Sequence, residues 1–440
     1  MGIRLDSLEK FDALPRTKRL KNGLTLVHIP KRDDPRFYLG VTIAAGARYE
    51  DEKANGAAHF LEHMMFRGSR KYPTFRKLSR AFEWLGGEWN AATGYEHTEY
   101  WFSGNLSSWP KVIELFADFV CHPKLNDLHI ERDVIRRELQ KETNEYGLNT
   151  DLDFQSFSQI WPKSGLARPI LGDLEHINKI SLSAIRKYRR DHYIPSRMVI
   201  CAVGGNEDEP ILEQLEEHFS SYQPRALRSR KKLKKLPSYQ GPKVRWLEHS
   251  DNEYHLQLSF VCGPEWGPEA HAVSLISRIL ADGYFSRLGA RLRETLGLVY
   301  YVEAQPNLFS DNGTLDITAS VGPQELEAFL FELLKILKKL QQMGPSLQEV
   351  KLAKARALMD MELMPTDPEV LGFRWSWSIL SGKNPSLKNT AEEIATLDQD
   401  ALTQAAKKIF CPENSSLVIL GPHDEALQKK INDIFLQFEF

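Results

Sequence analysis

The sequence predicts an α+β protein built from two similar halves, each a mixed or antiparallel sheet packed with helices. Three observations predict it. First, Tyr193-Ile-Pro-Ser-Arg-Met-Val-Ile-Cys-Ala-Val-Gly-Gly205 is echoed by Phe410-Cys-Pro-Glu-Asn-Ser-Ser-Leu-Val-Ile-Leu-Gly421, and Pro195 to Pro412 spans the same interval as Gly204 to Gly421. Second, one helical stretch ends at Gly68 and another at Gly283, at nearly the same offset. Third, segments with strand-like and with helical spacing of apolar residues are interleaved along the chain, as α+β layers require.

Composition agrees. The chain has 440 residues, 42% hydrophobic and 26% charged, enough for two or three soluble domains with real cores. Lys and Arg total 57 against 59 Asp and Glu, so nucleic acid is not an expected partner, since such binding needs a basic excess. No apolar run approaches the ~18 residues of a membrane span. The first twenty residues carry Asp6, Glu9 and Asp12 without an apolar core, so neither a signal nor a transit peptide is expected. The four cysteines, Cys121, Cys201, Cys262 and Cys411, form no CxxC. A cytoplasmic protein without disulfides is expected.

In chain order, Gly23–Ile29 and Phe37–Ala44 read as strands separated by turn residues. Phe75–Leu85 and Trp109–Val120 have helical spacing. Asn90–Phe102, rich in Thr, Tyr and Trp with Gly94 at its middle, reads as a hairpin. Glu131–Glu142 reads as a helix. Arg225–Lys235 is strongly cationic and is followed by Pro237 and Gly241-Pro242, the composition of a solvated linker. Beyond it, Leu256–Val261 and Thr314–Ser320 read as strands and Pro323–Met343 as a long helix. The expected division is an N-terminal half at 1–224, a basic linker at 225–242 and a C-terminal half at 243–440.

The sharpest chemical signal is His59-Phe-Leu-Glu62-His63. On a helix, residues four apart share a face, so both imidazoles can reach one metal ion. Glu62 projects close to the same side, where a carboxylate can take a proton from a bound water. Zinc suits such a set, with three protein ligands and an open position. The order His-x-x-Glu-His inverts the zinc-peptidase motif. A third ligand must come from elsewhere. Glu131, Glu138 and Glu142 lie close to one helical face with Val134 and Ile135, and spacing alone does not choose among them.

His59-Phe-Leu-Glu62-His63, followed further along by Glu138 within Glu131-Arg-Asp-Val-Ile-Arg-Arg-Glu138, resembles the pitrilysin family of zinc peptidases, which includes the mitochondrial processing peptidase. The resemblance extends to Asn90-Ala-Ala-Thr93, like the family's Asn-Ala-x-Thr strand. It reaches the second half in Ser286-Arg-Leu-Gly-Ala-Arg-Leu-Arg293-Glu-Thr-Leu-Gly-Leu-Val-Tyr300, like the family's arginine and tyrosine seven positions apart. The resemblance implies a pitrilysin-like fold and one zinc ion per chain, held by His59, His63 and Glu138. It implies Glu62 as general base, Glu131 as the carboxylate supporting a ligand histidine, and Arg293 and Tyr300 as the substrate-binding and oxyanion-stabilising pair. Asn90 and Ala91 are then the backbone-pairing strand for an extended peptide. Shifted by the repeat offset from Gly68 to Gly283, the motif lands on Ser274, Ser277 and Arg278, so the second half holds no zinc in this way. The implied protein is a zinc endopeptidase for unstructured peptides, dimeric with itself or with a related chain. The competing reading is a non-catalytic subunit of the same fold. Gln140, Glu142 and His97 take no assigned role.

Overall fold

The computed structural model describes residues 5–12, 14–222, 233 and 235–438. Most of the cationic segment 225–235 lies outside the described residues. Among the described residues, eleven strands form two sheets. The first joins β1 (Arg16–Arg19), β2 (Thr25–Ile29), β3 (Arg36–Ile43), β4 (Glu88–Thr93), β5 (Thr98–Asn105) and β6 (Met198–Val203) in the order β1-β2-β6-β3-β5-β4. The second joins β7 (Lys243–Glu248), β8 (Tyr254–Cys262), β9 (Val299–Leu308), β10 (Gly313–Val321) and β11 (Ser415–Gly421) in the order β7-β11-β8-β10-β9. Apart from β1 the orders are the same. In each sheet one pair is parallel, β2 with β6 and β7 with β11, and the others are antiparallel. The repeat in the sequence is therefore a repeat of topology.

β6 and β11, the two echoed segments, are buried along their whole length, as continuous apolar runs in central strands should be. One face of each sheet carries the larger cores. In the first, Phe37, Leu39, Val41 and Phe102 meet Phe60, Met64, Phe116 and Phe119 from helices Ala57–Met65 and Trp109–Cys121. In the second, Leu256, Leu258, Leu315 and Ile317 meet Ile276, Leu333 and Leu337 from helices Ala270–Ala281 and Leu326–Met343.

The opposite faces are covered by exchange. Helix Pro368–Leu380, far along the second half, lays Leu371 and Trp375 on Val27, Tyr38, Val199 and Cys201 of the first sheet. Gly372 permits this approach, because a Cβ there would lie 2.3 Å from the Tyr38 ring. Helix Leu152–Ile160 does the same for the second sheet, with Ser156 bonded to Ser259 at 2.7 Å and Gln159 to Ser416 at 2.8 Å. The starts of the two helices, Leu152 and Pro368, are separated by nearly the offset of the repeat. The halves are interlocked, each supplying one layer of the other.

Candidate metal centre

Helix Ala57–Met65 buries Ala57, Ala58, Phe60, Leu61, Met64 and Met65 and turns His59, Glu62 and His63 away from the core. Its start is fixed by Glu50, whose carboxylate accepts from the backbone N–H of Gly56 at 2.8 Å and of Ala58 at 2.7 Å. That satisfies donors every helix N-terminus leaves free, and places a carboxyl at the positive end of the dipole. Gly56 sits at φ +85°, with Ile177 Cδ1 2.8 Å from where a Cβ would be. Only glycine fits there.

Helix Leu128–Lys141 runs alongside and presents Glu131 and Glu138. Among the three carboxylates that spacing left open, Glu138 reaches both imidazoles. Its Oε2 lies 3.8 Å from His59 Nε2 and 3.4 Å from His63 Nε2. Glu131 Oε2 instead accepts from His63 Nδ1 at 3.1 Å. Arg67 holds Glu131 from the other side, at 3.2 Å, and Asp127 at 3.0 Å. Glu142 makes neither contact. The ligand atoms of His59, Glu62 and His63 lie within 4.8 Å of one another.

Glu62 accepts a hydrogen bond from the Thr93 hydroxyl at 2.5 Å. Thr93 ends β4, the edge strand of the first sheet, whose side chains alternate inward and outward. Trp89, Ala91 and Thr93 point inward, with Trp89 stacked on Phe82 at 4.2 Å. Asn90 points outward, and its Oδ1 accepts from the Ala91 N–H at 2.9 Å. A free strand edge thus runs beside Glu62.

The net shifts of the two histidines run in opposite directions. Burial, then the neighbouring His63, pushes His59 down to about 3, so its imidazole stays neutral. For His63 burial also acts downward, but the bond to Glu131 and the carboxylates of Glu138 and Glu62 outweigh it and raise the pKa. Burial raises Glu62 against the opposing bond from Thr93. His59 Nδ1 is buried without a partner. Two ligand atoms on one tetrahedral zinc lie about 3.3 Å apart, close to the His63–Glu138 separation. Two imidazoles, one carboxylate and a carboxylate behind an imidazole fit zinc by donor chemistry.

Arg293 and Tyr300 lie elsewhere. Arg293 sits over the rings of Tyr284 and Tyr300, at 5.2 and 5.4 Å. Among the described residues, neither contacts His59, Glu62, His63 or Glu138. The turn after β9 does meet the turn before β5, through Tyr95 against Phe309 at 5.7 Å. Thr93 is next to that turn. Tyr300, however, stands at the far end of β9 from Leu308, about 26 Å of strand away.

Sequence reasoning missed Arg67, which lies in the turn just past the end of helix Ala57–Met65, where helical spacing no longer places a side chain. It also missed Glu50, for which helical spacing holds no signal. His97, left without a role, is wedged between Phe373 and Trp377 at 4.9 and 5.2 Å, and burial pushes it down to about 4. A cavity of about 1320 Å³ lies behind helix Leu128–Lys141, against Arg136, Leu139, Gln140 and Thr143, and His59, Glu62, His63 and Glu138 are not among its lining residues.

The fold and this centre define a two-domain metallopeptidase scaffold. The sequence profile described as "Insulinase (Peptidase family M16)" matches residues 26–173, and that described as "Peptidase M16 inactive domain" matches residues 179–357. The chain belongs to peptidase family M16, the insulinase or pitrilysin family. It is 26% identical over 415 residues to an uncharacterized zinc protease of Mycobacterium tuberculosis, covering 93% of each chain. It is 34% identical over 216 residues to mitochondrial cytochrome b-c1 complex subunit 1 of Bos taurus, covering 48% of this chain and 44% of that one. The crystal structure of a protease from Helicobacter pylori superposes with a TM-score of 0.86 at 20% identity, over 93% of this chain and 99% of the other.

Proposed function

We propose that this M16 protein is a zinc-dependent endopeptidase that hydrolyses unstructured peptides. The observation that carries the reading is the convergence of His59 and His63 on one oxygen of Glu138, with Glu62 beside them and bonded to the edge strand. His59, His63 and Glu138 would hold one zinc ion per chain. Zinc held there would supply Lewis acidity, making a water a stronger nucleophile at neutral pH.

The chain's own residues do the rest. Glu131 takes the proton side of His63 Nδ1, which leaves Nε2 as a lone pair facing Glu138. Glu62 accepts a proton from the attacking water and returns it to the leaving amine, held in orientation by the Thr93 hydroxyl. A substrate in extended form adds to the edge of β4, displacing the Asn90 side chain from the Ala91 N–H. This recognition reads backbone, so flexible peptides are favoured over folded proteins.

Tyr300 stabilises the oxyanion and Arg293 holds a substrate carbonyl. Because Tyr300 is exposed at the far end of β9, with Arg293 beside it, a second chain delivers the pair, making the working unit a dimer of identical or related chains. Four free cysteines suit the cytoplasm, and no helix among the described residues is long and apolar enough to cross a membrane.

The relationship to cytochrome b-c1 complex subunit 1 keeps a second reading in play, a non-catalytic subunit. The complete set His59, Glu62, His63 and Glu138 favours the enzyme. Chelation separates them: purified protein should cleave an unstructured peptide, lose that activity with its zinc, and recover it on adding about one equivalent. Zinc-independent or absent cleavage would overturn the enzyme reading.

A further inference from the structure

We propose that Tyr284 is a positioning residue for peptide binding, its ring holding the Arg293 guanidinium in the orientation that meets the substrate. The proposal rests on the reading of Arg293 and Tyr300 as substrate-contacting residues. Arg293 lies over two rings at once, 5.2 Å from the centre of Tyr284 and 5.4 Å from that of Tyr300. Both distances fall within cation–π range. Its Nε also approaches Glu294 Oε1, at 3.4 Å. A long, half-exposed arginine with no such neighbours would sample many rotamers and lose that freedom on binding. Between two tyrosine faces it is already ordered.

Three features of the surroundings fit a preorganised arginine. Arg293 is carried by Gly289–Thr295, a π-helical turn, with Leu296 N–H bonded to Arg291 O at 3.1 Å. Such turns are rare and concentrate at functional sites. The loop carrying Tyr284 is braced at its base. Asp282 takes Arg356 at 2.9 Å and Arg278 at 3.1 Å, and the Ser286 hydroxyl donates to Gly283 O at 2.7 Å. Yet the rings themselves stay in solvent, Tyr284 65% and Tyr300 87% exposed. Burial does not explain their placement. Holding the cation between them does.

The test uses Tyr284→Leu, Tyr284→Phe, Arg293→Ala and the double variant Tyr284→Leu/Arg293→Ala. Binding of a fluorescent unstructured peptide is read by anisotropy on a Glu62→Gln background, and KM and kcat are read on the otherwise unaltered enzyme. Tyr284→Leu should weaken binding and raise KM about three- to fivefold, the size of an exposed cation–π contact, with kcat within twofold. Tyr284→Phe keeps the ring face and should behave as the parent. In the double variant the loss should equal that of Arg293→Ala alone, since the ring acts through the arginine. Unchanged binding in Tyr284→Leu, or losses that add in the double variant, would overturn the proposal while leaving Arg293 in its role. Unchanged binding in Arg293→Ala would overturn the role of the pair itself, and the proposal with it. Unfolding midpoints should match throughout, because Tyr284 supports no core.

Discussion

Arg48 in the first half and Asp311 in the second are joined by two hydrogen bonds of 2.6 and 2.7 Å. The Arg48 side chain is 1% exposed and also bonds Glu96 at 2.7 Å. Glu96 in turn accepts from the Ser310 N–H and hydroxyl. The turn that closes β9 and β10 is thereby locked onto the turn that joins β4 and β5. Two positions beyond Arg48 stands Glu50, which caps the metal-site helix. The second half thus braces the loop from which helix Ala57–Met65 starts.

That network should be expensive to break from one side. Arg48→Met leaves Glu96 buried with its charge uncompensated, a loss of about 3 kcal/mol or more. Asp311→Asn removes the more exposed partner and should cost on the order of 1 kcal/mol. Chemical denaturation of the two variants measures both. Equal, small losses would show that Glu96 needs only its bonds to Ser310.

With the proposed ligand set, Glu131→Gln should leave the fold intact and lower zinc affinity by about 10- to 100-fold, since it weakens the hold on His63 Nδ1 without removing a proposed ligand. Glu138→Gln removes a ligand and should lose far more. Titration against a competing chelator ranks them. Affinities in the reverse order would exchange the roles of the two glutamates.

Much of this was readable from residues in order, and the remainder fails for physical reasons. The motif on helix Ala57–Met65 was legible because residues four apart share a face whatever the rest of the chain does. The hairpin of β4 and β5, the strands β2 and β3, and the long helix Leu326–Met343 likewise follow from local periodicity. The choice of Glu138 over Glu131 and Glu142 does not, because all three lie near one face and a tilt of the helix decides which reaches the histidines. The exchange of helices Leu152–Ile160 and Pro368–Leu380 was also hidden. An amphipathic pattern says that a face is buried, not against which sheet. Gln155, Ser156 and Gln159 are buried polar residues that look like a solvent face until Ser259 and Ser416 are seen opposite them.

Beneath the exchanged helix, Glu99 accepts from Tyr38 at 2.7 Å, and burial pushes its pKa up to about 7. Glu50 is raised to about 7 for the same reason. An acid whose folded pKa lies above its unfolded value near 4.5 holds its proton better in the folded state. Its contribution to stability is present below pH 4.5 and is lost as pH rises through 7. Glu99→Gln keeps the carbonyl acceptor without the charge. It should stabilise the protein at pH 8, by on the order of 2–3 kcal/mol, while changing little at pH 4.5. Unfolding midpoints of parent and variant across this range test it; parallel curves would mean that Glu99 titrates as an ordinary carboxylate.

If a second chain supplies Tyr300, two crippled variants should repair each other. Glu62→Gln lacks the base but retains Tyr300; Tyr300→Phe lacks the oxyanion donor but retains Glu62. Each alone should lose about 10²-fold or more in kcat. In a mixed dimer, one site combines both substitutions and is doubly impaired. The other draws Glu62 from one chain and Tyr300 from its partner, and is intact. Random pairing makes half the dimers mixed, each with one good site, so co-expressed chains should show about a quarter of the parent activity. A site assembled within one chain gives no such rescue, because every chain then carries its own defect. Recovery that requires both variants, and fails with either doubled, would place Tyr300 across the interface. Activity no higher than the sum of the separate variants would place it within the chain, and β9 would then have to move toward the metal centre when peptide binds.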